Sequence, residues 1–221
     1  MVYLTDSLAA ALLSVLDGIK VHPYFVSAEL HPAKLDGLRA KYESRYPDLL
    51  RDRFFALRLR KSGKTSHRLI IYKPKDESTE GFFVLQASTQ DDKTEPWKNA
   101  LERHQRITLY GYEAVCLPRL GQPSAWTWRI EKDRYKRDLS KMIDAIDKKK
   151  DKWLEQWVKK AAYWPGFVGV RLQVSALQKA FYGRFFRIRG EAPPEWWPQK
   201  RRFYVTRRVF KRRRPVKGSV E

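Results

Sequence analysis

The chain of 221 residues holds one cysteine, Cys116, and two methionines. A single thiol makes no internal disulfide, so the fold must rest on packing, and a reducing, cytoplasmic compartment fits best. There is no long apolar run. Leu8 to Leu16 is interrupted by Ser14 and falls far short of the ~20 residues that span a bilayer. The opening Met1-Val-Tyr-Leu-Thr-Asp lacks the basic leader of a signal peptide. Acid is scarce too: 25 Asp+Glu stand against 46 Lys+Arg, a net charge of +21. Apolar residues are not scarce. They make up 43% of the chain, with 14% aromatic, which excludes a disordered polyelectrolyte.

Catalytic and metal-binding patterns are also missing. His22, His31, His67 and His104 show no metal-ligand spacing, and one cysteine cannot complete a zinc site. No Gly-x-Ser-x-Gly occurs. Ser62-Gly63-Lys64-Thr65 suggests a phosphate loop, but Arg58 stands where that motif needs its first glycine. The acid pairs Asp76-Glu77 and Asp91-Asp92 sit beside lysines in polar runs and read as solvated loop charge. The sequence implies no cofactor and no metal. One metal-independent route remains: His67 beside Arg68, or His104 between Arg103 and Arg106, as acid or base in RNA cleavage. A surface histidine in a basic protein has the same neighbours, so the reading leans away from an enzyme.

What the chain does have is positive charge, unevenly spread. Residues 1–100 carry 16 Lys+Arg and 13 acids, residues 101–200 carry 21 and 11, and residues 201–221 carry nine and one. Folding gains nothing from such asymmetry, because like charges oppose compaction. It describes a partner, and the usual partners are DNA, RNA or an acidic membrane surface.

Periodicity gives the elements. A helix is expected over Ser7–Asp17, capped by Thr5 or Asp6, and a second over Ala33–Arg45 behind Pro32. Phe55, Leu57 and Leu59 alternate with Ala56, Arg58 and Arg60, and Leu69 and Ile71 continue beyond a turn-rich linker, which reads as a β-hairpin. Phe82–Gln86 adds a strand, Pro96–Arg106 a short helix, and Ile107–Leu117 with Ala125–Ile130 a second hairpin. In its last strand Trp126, Trp128 and Ile130 share a face. Lys132–Tyr163 reads as one long helix or two joined near Lys148–Lys150. After Trp164-Pro165-Gly166 comes a helix over Phe167–Tyr182, then extended segments at Arg184–Arg189 and Phe203–Phe210.

The expected fold is α+β: an antiparallel sheet with flanking helices over 1–131, then a helical, winged-helix-like basic module over 132–221 whose arm, about 212–221, is disordered. The candidate nucleic-acid contacts lie in that module. Arg171, Gln178 and Lys179 share a face of the Phe167–Tyr182 helix with Ser175 and Tyr182, suited to base edges and phosphates. Lys159 and Lys160 extend the footprint along the backbone. Arg187, Arg189, Arg201, Arg202, Arg207, Arg208, Lys211, Arg212, Arg213 and Arg214 supply the wing and arm. Trp196 and Trp197, in a proline-rich loop, are the stacking candidates. An ordinary amphipathic helix and ordinary aromatic packing account for the same residues without a ligand. The reading favours DNA over RNA, bound without catalysis, with no membrane partner and with protein partners in a nucleoprotein complex as a further possibility. RNA processing through His67 or His104, or a structural place in a ribonucleoprotein, is the alternative.

Overall fold

The computed structural model describes residues 1–76, 78–90, 95–194 and 196–197. The chain divides into two compact units, one reaching Leu109 and the other starting at Tyr110. The composition boundary, after residue 131, falls one hairpin later than this division.

The first unit carries β1 (Val2–Thr5), α1 (Leu8–Ile19), β2 (Tyr24–Leu30), α2 (Pro32–Arg45), a 3-10 turn (Pro47–Leu50), α3 (Arg53–Lys61), β3 (His67–Tyr72), β4 (Gly81–Ala87) and the two-residue β5 (Lys98–Asn99). The five strands form one sheet in the order β1-β3-β4-β2-β5. β1 runs parallel to β3, Val2 facing Leu69 and Thr5 facing Tyr72, and the other pairings are antiparallel. A helix lies on each face. Leu35 and Tyr42 of α2 pack with Leu69, Ile71, Phe83 and Leu85 on one side. On the other, α1 buries Leu12, Val15 and Ile19, and Gln86 of β4 donates to the Val15 carbonyl at 3.1 Å. α1 approaches the sheet so closely at Gly18 that a Cβ there would collide with the Gln86 side chain. β3 and β4, covered on both faces, therefore read as continuous apolar runs.

The first unit closes with the two-residue β6 (Thr108–Leu109), and the second begins with a hairpin of β7 (Tyr112–Arg119) and β8 (Gln122–Ile130), turned at Gly121 with φ 65°. Trp128 and Ile130 are buried as their shared face requires. Three helices follow: α4 (Lys132–Asp147), α5 (Asp151–Ala161) and α6 (Val168–Arg189). Their common core holds Met142, Ile146, Leu154, Val158, Leu177, Phe181 and Phe185. α6 is tied to β8 by Gln173, which accepts from the Ile130 amide at 2.6 Å and donates to its carbonyl at 2.9 Å. Gly169 permits the contact, since a Cβ there would stand 2.5 Å from the Trp128 carbonyl oxygen.

Several expectations are corrected. The sheet of the first unit is mixed rather than antiparallel, because the missed strand β1 joins it parallel to β3. Phe55–Arg60 is helical, not a hairpin strand: the Asp52 carboxylate accepts from the Phe55 amide at 2.7 Å and starts α3. Pro96–Arg106 forms turns and β5 instead of a helix. Arg184–Arg189 is not extended, because α6 runs on to Arg189 and stops only at Gly190, whose φ of 69° needs glycine. That removes the first strand of the expected wing; the second, Phe203–Phe210, lies outside the described residues. The helical stretch 132–163 is two helices, joined through Lys149 at φ 53°. Among the described residues no helix is long and apolar enough to cross a membrane.

Candidate nucleic-acid interface

α5 is built as a two-faced rod. Leu154, Val158 and Ala161 are buried, and Trp157 is half-buried against Trp164 with the rings 5.8 Å apart. The outward side carries Lys152, Trp153, Gln156, Lys159, Lys160 and, just past the helix, Tyr163, all exposed. At 3.6 residues per turn these six fall within an arc of about 120°. Lys152, Gln156 and Lys160 follow one another at intervals of about 6 Å, four residues at 1.5 Å each. Lys159 is held by Glu155 at 2.7 Å, and Lys148 of the α4–α5 connection by Asp144 at 2.6 Å. Trp153 edges a hollow of about 470 Å³ shared with Ser140, Lys141, Asp144 and Lys150. A second hollow at Trp153 is lined by Lys149, Lys150, Asp151 and Lys152. The result is an accessible indole among several cations.

The candidates on α6 have different surroundings. Arg171 donates to the Gly166 carbonyl at 2.8 Å, closing the turn ahead of the helix. Gln178 and Tyr182 are half-buried, and Tyr182 meets Phe181 and Trp197 edge-on. Ser175, Lys179 and Arg187 are exposed, but they share that side with Leu172 and Phe186. Arg189 is paired with Asp151 at 2.7 Å and lies over the Phe185 ring. Arg184, five residues earlier on α6, grips Asp147 with two bonds of 2.8 and 2.6 Å, which hold the Asp147 carboxyl below its ordinary pKa. Lys159 and Lys160 thus share a face with Lys152 and Trp153, whereas Arg171 and Arg189 are engaged within the fold. Trp197 is buried and stacked on Phe181, with Trp196 half-buried against its edge. Arg201, Arg202, Arg207, Arg208, Lys211, Arg212, Arg213 and Arg214 lie outside the described residues.

The histidines fall into three settings. His67 is buried; its Nδ1 is 3.0 Å from Asp48 Oδ1, while the other carboxylate oxygen accepts from the His67 amide at 2.6 Å. The His67 bonds and charge outweigh burial and hold the Asp48 carboxyl below its ordinary value. Tyr46 covers the His67 ring at 4.2 Å, and its Nε2 is closed off from solvent. His22 is also buried, with Nε2 3.0 Å from the Ser66 hydroxyl; burial first, then the charges of Arg60 and Arg68, push its pKa down to about 3. His104 is exposed and lies 3.2 Å from Glu102. Among the described residues no three His, Cys, Asp or Glu side chains gather as metal ligands.

Two features of this picture escaped the sequence reading. Trp153 is not among the sequence candidates, although its phase, about 100° from Lys152, sets it on the outer arc. The Asp48–His67 pair joins residues 19 apart through a 3-10 turn and a strand start, and no local pattern announces it. No protein-family model, curated protein or solved structure matches the chain.

Proposed function

We propose that the chain binds nucleic acid, DNA in preference to RNA, through a basic surface of its C-terminal half, and does no chemistry on it. The observation that carries this reading is the outward arc of α5. Its lysines serve no core, since the buried face of the same helix is wholly apolar, and an accessible tryptophan stands among them. Cations there neutralise phosphates and release counterions, and a flat indole stacks on any base. The net charge of +21 supports the same partner, and the nine cations of residues 201–221 extend it. Lysine contacts carry no sequence information, so binding of weak sequence preference is expected from α5 alone. The exposed thiol of Cys116 suits a reducing, cytoplasmic setting.

Geometry supports binding over cleavage by His67, whose free nitrogen is buried beneath aromatic rings where no phosphate reaches. The test is titration of the full chain against labelled DNA and RNA of one sequence, single-stranded and duplex. DNA is expected to bind at least as tightly as RNA. Tighter RNA binding would move the reading to an RNA partner, and no binding at low salt would end it.

A further inference from the structure

α3 is the least buried helix of the first unit: of its nine residues only Ala56 is buried. Leu50, Phe54 and Leu57 stand in solvent at 65%, 72% and 40% exposure. Single exposed apolar residues are ordinary, but two on one side of a nine-residue helix with a third, Leu50, closing the 3-10 turn just ahead of it are not. Measured around the helix axis, Leu57 and Phe54 lie at about 40° and 100° from Arg53, and Arg58 at about 140°, with Lys61 one turn further along the same side. Leu57 and Phe54 thus lie between Arg53 and Arg58 on this arc, with Lys61 at about 80° continuing it one turn on. Arg51 and Arg58 are each 5.8 Å from the Phe55 ring, which holds both guanidiniums beside the helix. Residues 50–64 contain six cations and one acid, Asp52, whose carboxylate caps α3.

We propose that α3 seats the protein on an anionic lipid surface, Leu50, Phe54 and Leu57 entering the headgroup boundary while Arg51, Arg53, Arg58 and Lys61 meet lipid phosphates. An apolar row bordered by long cationic side chains is the pattern of an interfacial helix, the stems of arginine and lysine lying along apolar surface while their heads reach anions. Aliphatic Leu50 and Leu57 offer nothing to a base, so the row favours lipid over nucleic acid. No described helix spans a bilayer, so the contact lies in the plane of the surface. The sequence alone gives no membrane partner, since no apolar run is long enough to span a bilayer, and the alternation of Phe55, Leu57 and Leu59 reads there as a strand. The inference is independent of the α5 surface.

The experiment is co-sedimentation of the full chain with vesicles of phosphatidylcholine alone and of phosphatidylcholine mixed with phosphatidylglycerol. A basic chain binds anionic vesicles by charge alone, so the informative variant keeps every charge: Phe54→Ser with Leu57→Ser. Partitioning to the mixed vesicles is expected to fall at least about tenfold, since two apolar side chains no longer insert. Phe54→Leu should retain it. Both altered residues are exposed, so thermal stability and DNA affinity should stay unchanged. Lys152→Gln with Lys160→Gln should leave this charge-independent component in place. Vesicle binding that ignores the double serine change would overturn the proposal. So would a loss of DNA affinity with vesicle binding unmoved, which would place α3 on the nucleic-acid surface.

Discussion

Trp196 and Trp197 are neighbours with different surroundings. Trp197 is buried and stacked on Phe181, so Trp197→Ala is expected to cost about 3–5 kcal/mol of folding stability, measured by denaturant unfolding. Trp196 is half-buried, and its removal should cost markedly less. Equal losses would contradict the burial difference. The proline-rich loop and the opposite pointing of adjacent residues make such a split legible in sequence; which ring turns inward was not. His22 gives a second expectation. Its folded pKa, about 3, lies below the 6.5 of the unfolded chain, so as pH falls the unfolded state takes up the proton first. Stability from this group is complete above about 6.5 and is lost progressively as pH drops toward 3. Between pH 6 and 4.5 the first unit should therefore lose stability in the native chain, and His22→Asn should flatten that loss. Asp48 acts lower: with its folded pKa depressed, its contribution is present above 3.8 and goes as pH falls through the folded value. Neither environment was legible from sequence, since burial and partners 44 and 19 residues away set both.

At the scale of elements, α5 makes the sharpest prediction. Trp153→Ala should weaken nucleic-acid binding by about 1–3 kcal/mol and cost less folding stability than Trp197→Ala, because Trp153 lies outside the helical core. Loss of stability with intact binding would return Trp153 to packing. The same helix shows how far sequence carries. That residues 132–163 are helical was readable from the sequence, and so were α1, α2, β4 and the hairpin of β7 and β8. α3 was misread because Phe55, Leu57 and Leu59 alternate; the signal that mattered was Asp52 as an N-cap. A helix with Phe54 and Leu57 in solvent mimics a strand, since burial no longer marks its true period. Arg184–Arg189 was misread for the related reason that Phe186 and Ile188 point outward, so the stripe that ends at Phe185 looks broken. β1 is four residues long and takes its place only through pairing with β3, 67 residues on in register, which no local pattern reports.

At the scale of the whole molecule the net charge of +21 remains the dominant fact. Self-repulsion of this size opposes folding, and the structure offsets part of it with pairs such as Arg184–Asp147 and Arg129–Glu113. The lysines of α5 and the cations of residues 201–221 are what the account assigns to a polyanion. The most direct test is the salt dependence of binding to labelled DNA, measured on the full chain, on a chain ending at residue 210, and on the full chain with Lys152→Gln and Lys160→Gln. If about 6–8 phosphates are neutralised, affinity should fall ~10³-fold or more between 50 and 200 mM salt, and both altered chains should give a shallower slope. A slope that neither change alters would contradict the account, as would affinity that does not respond to salt.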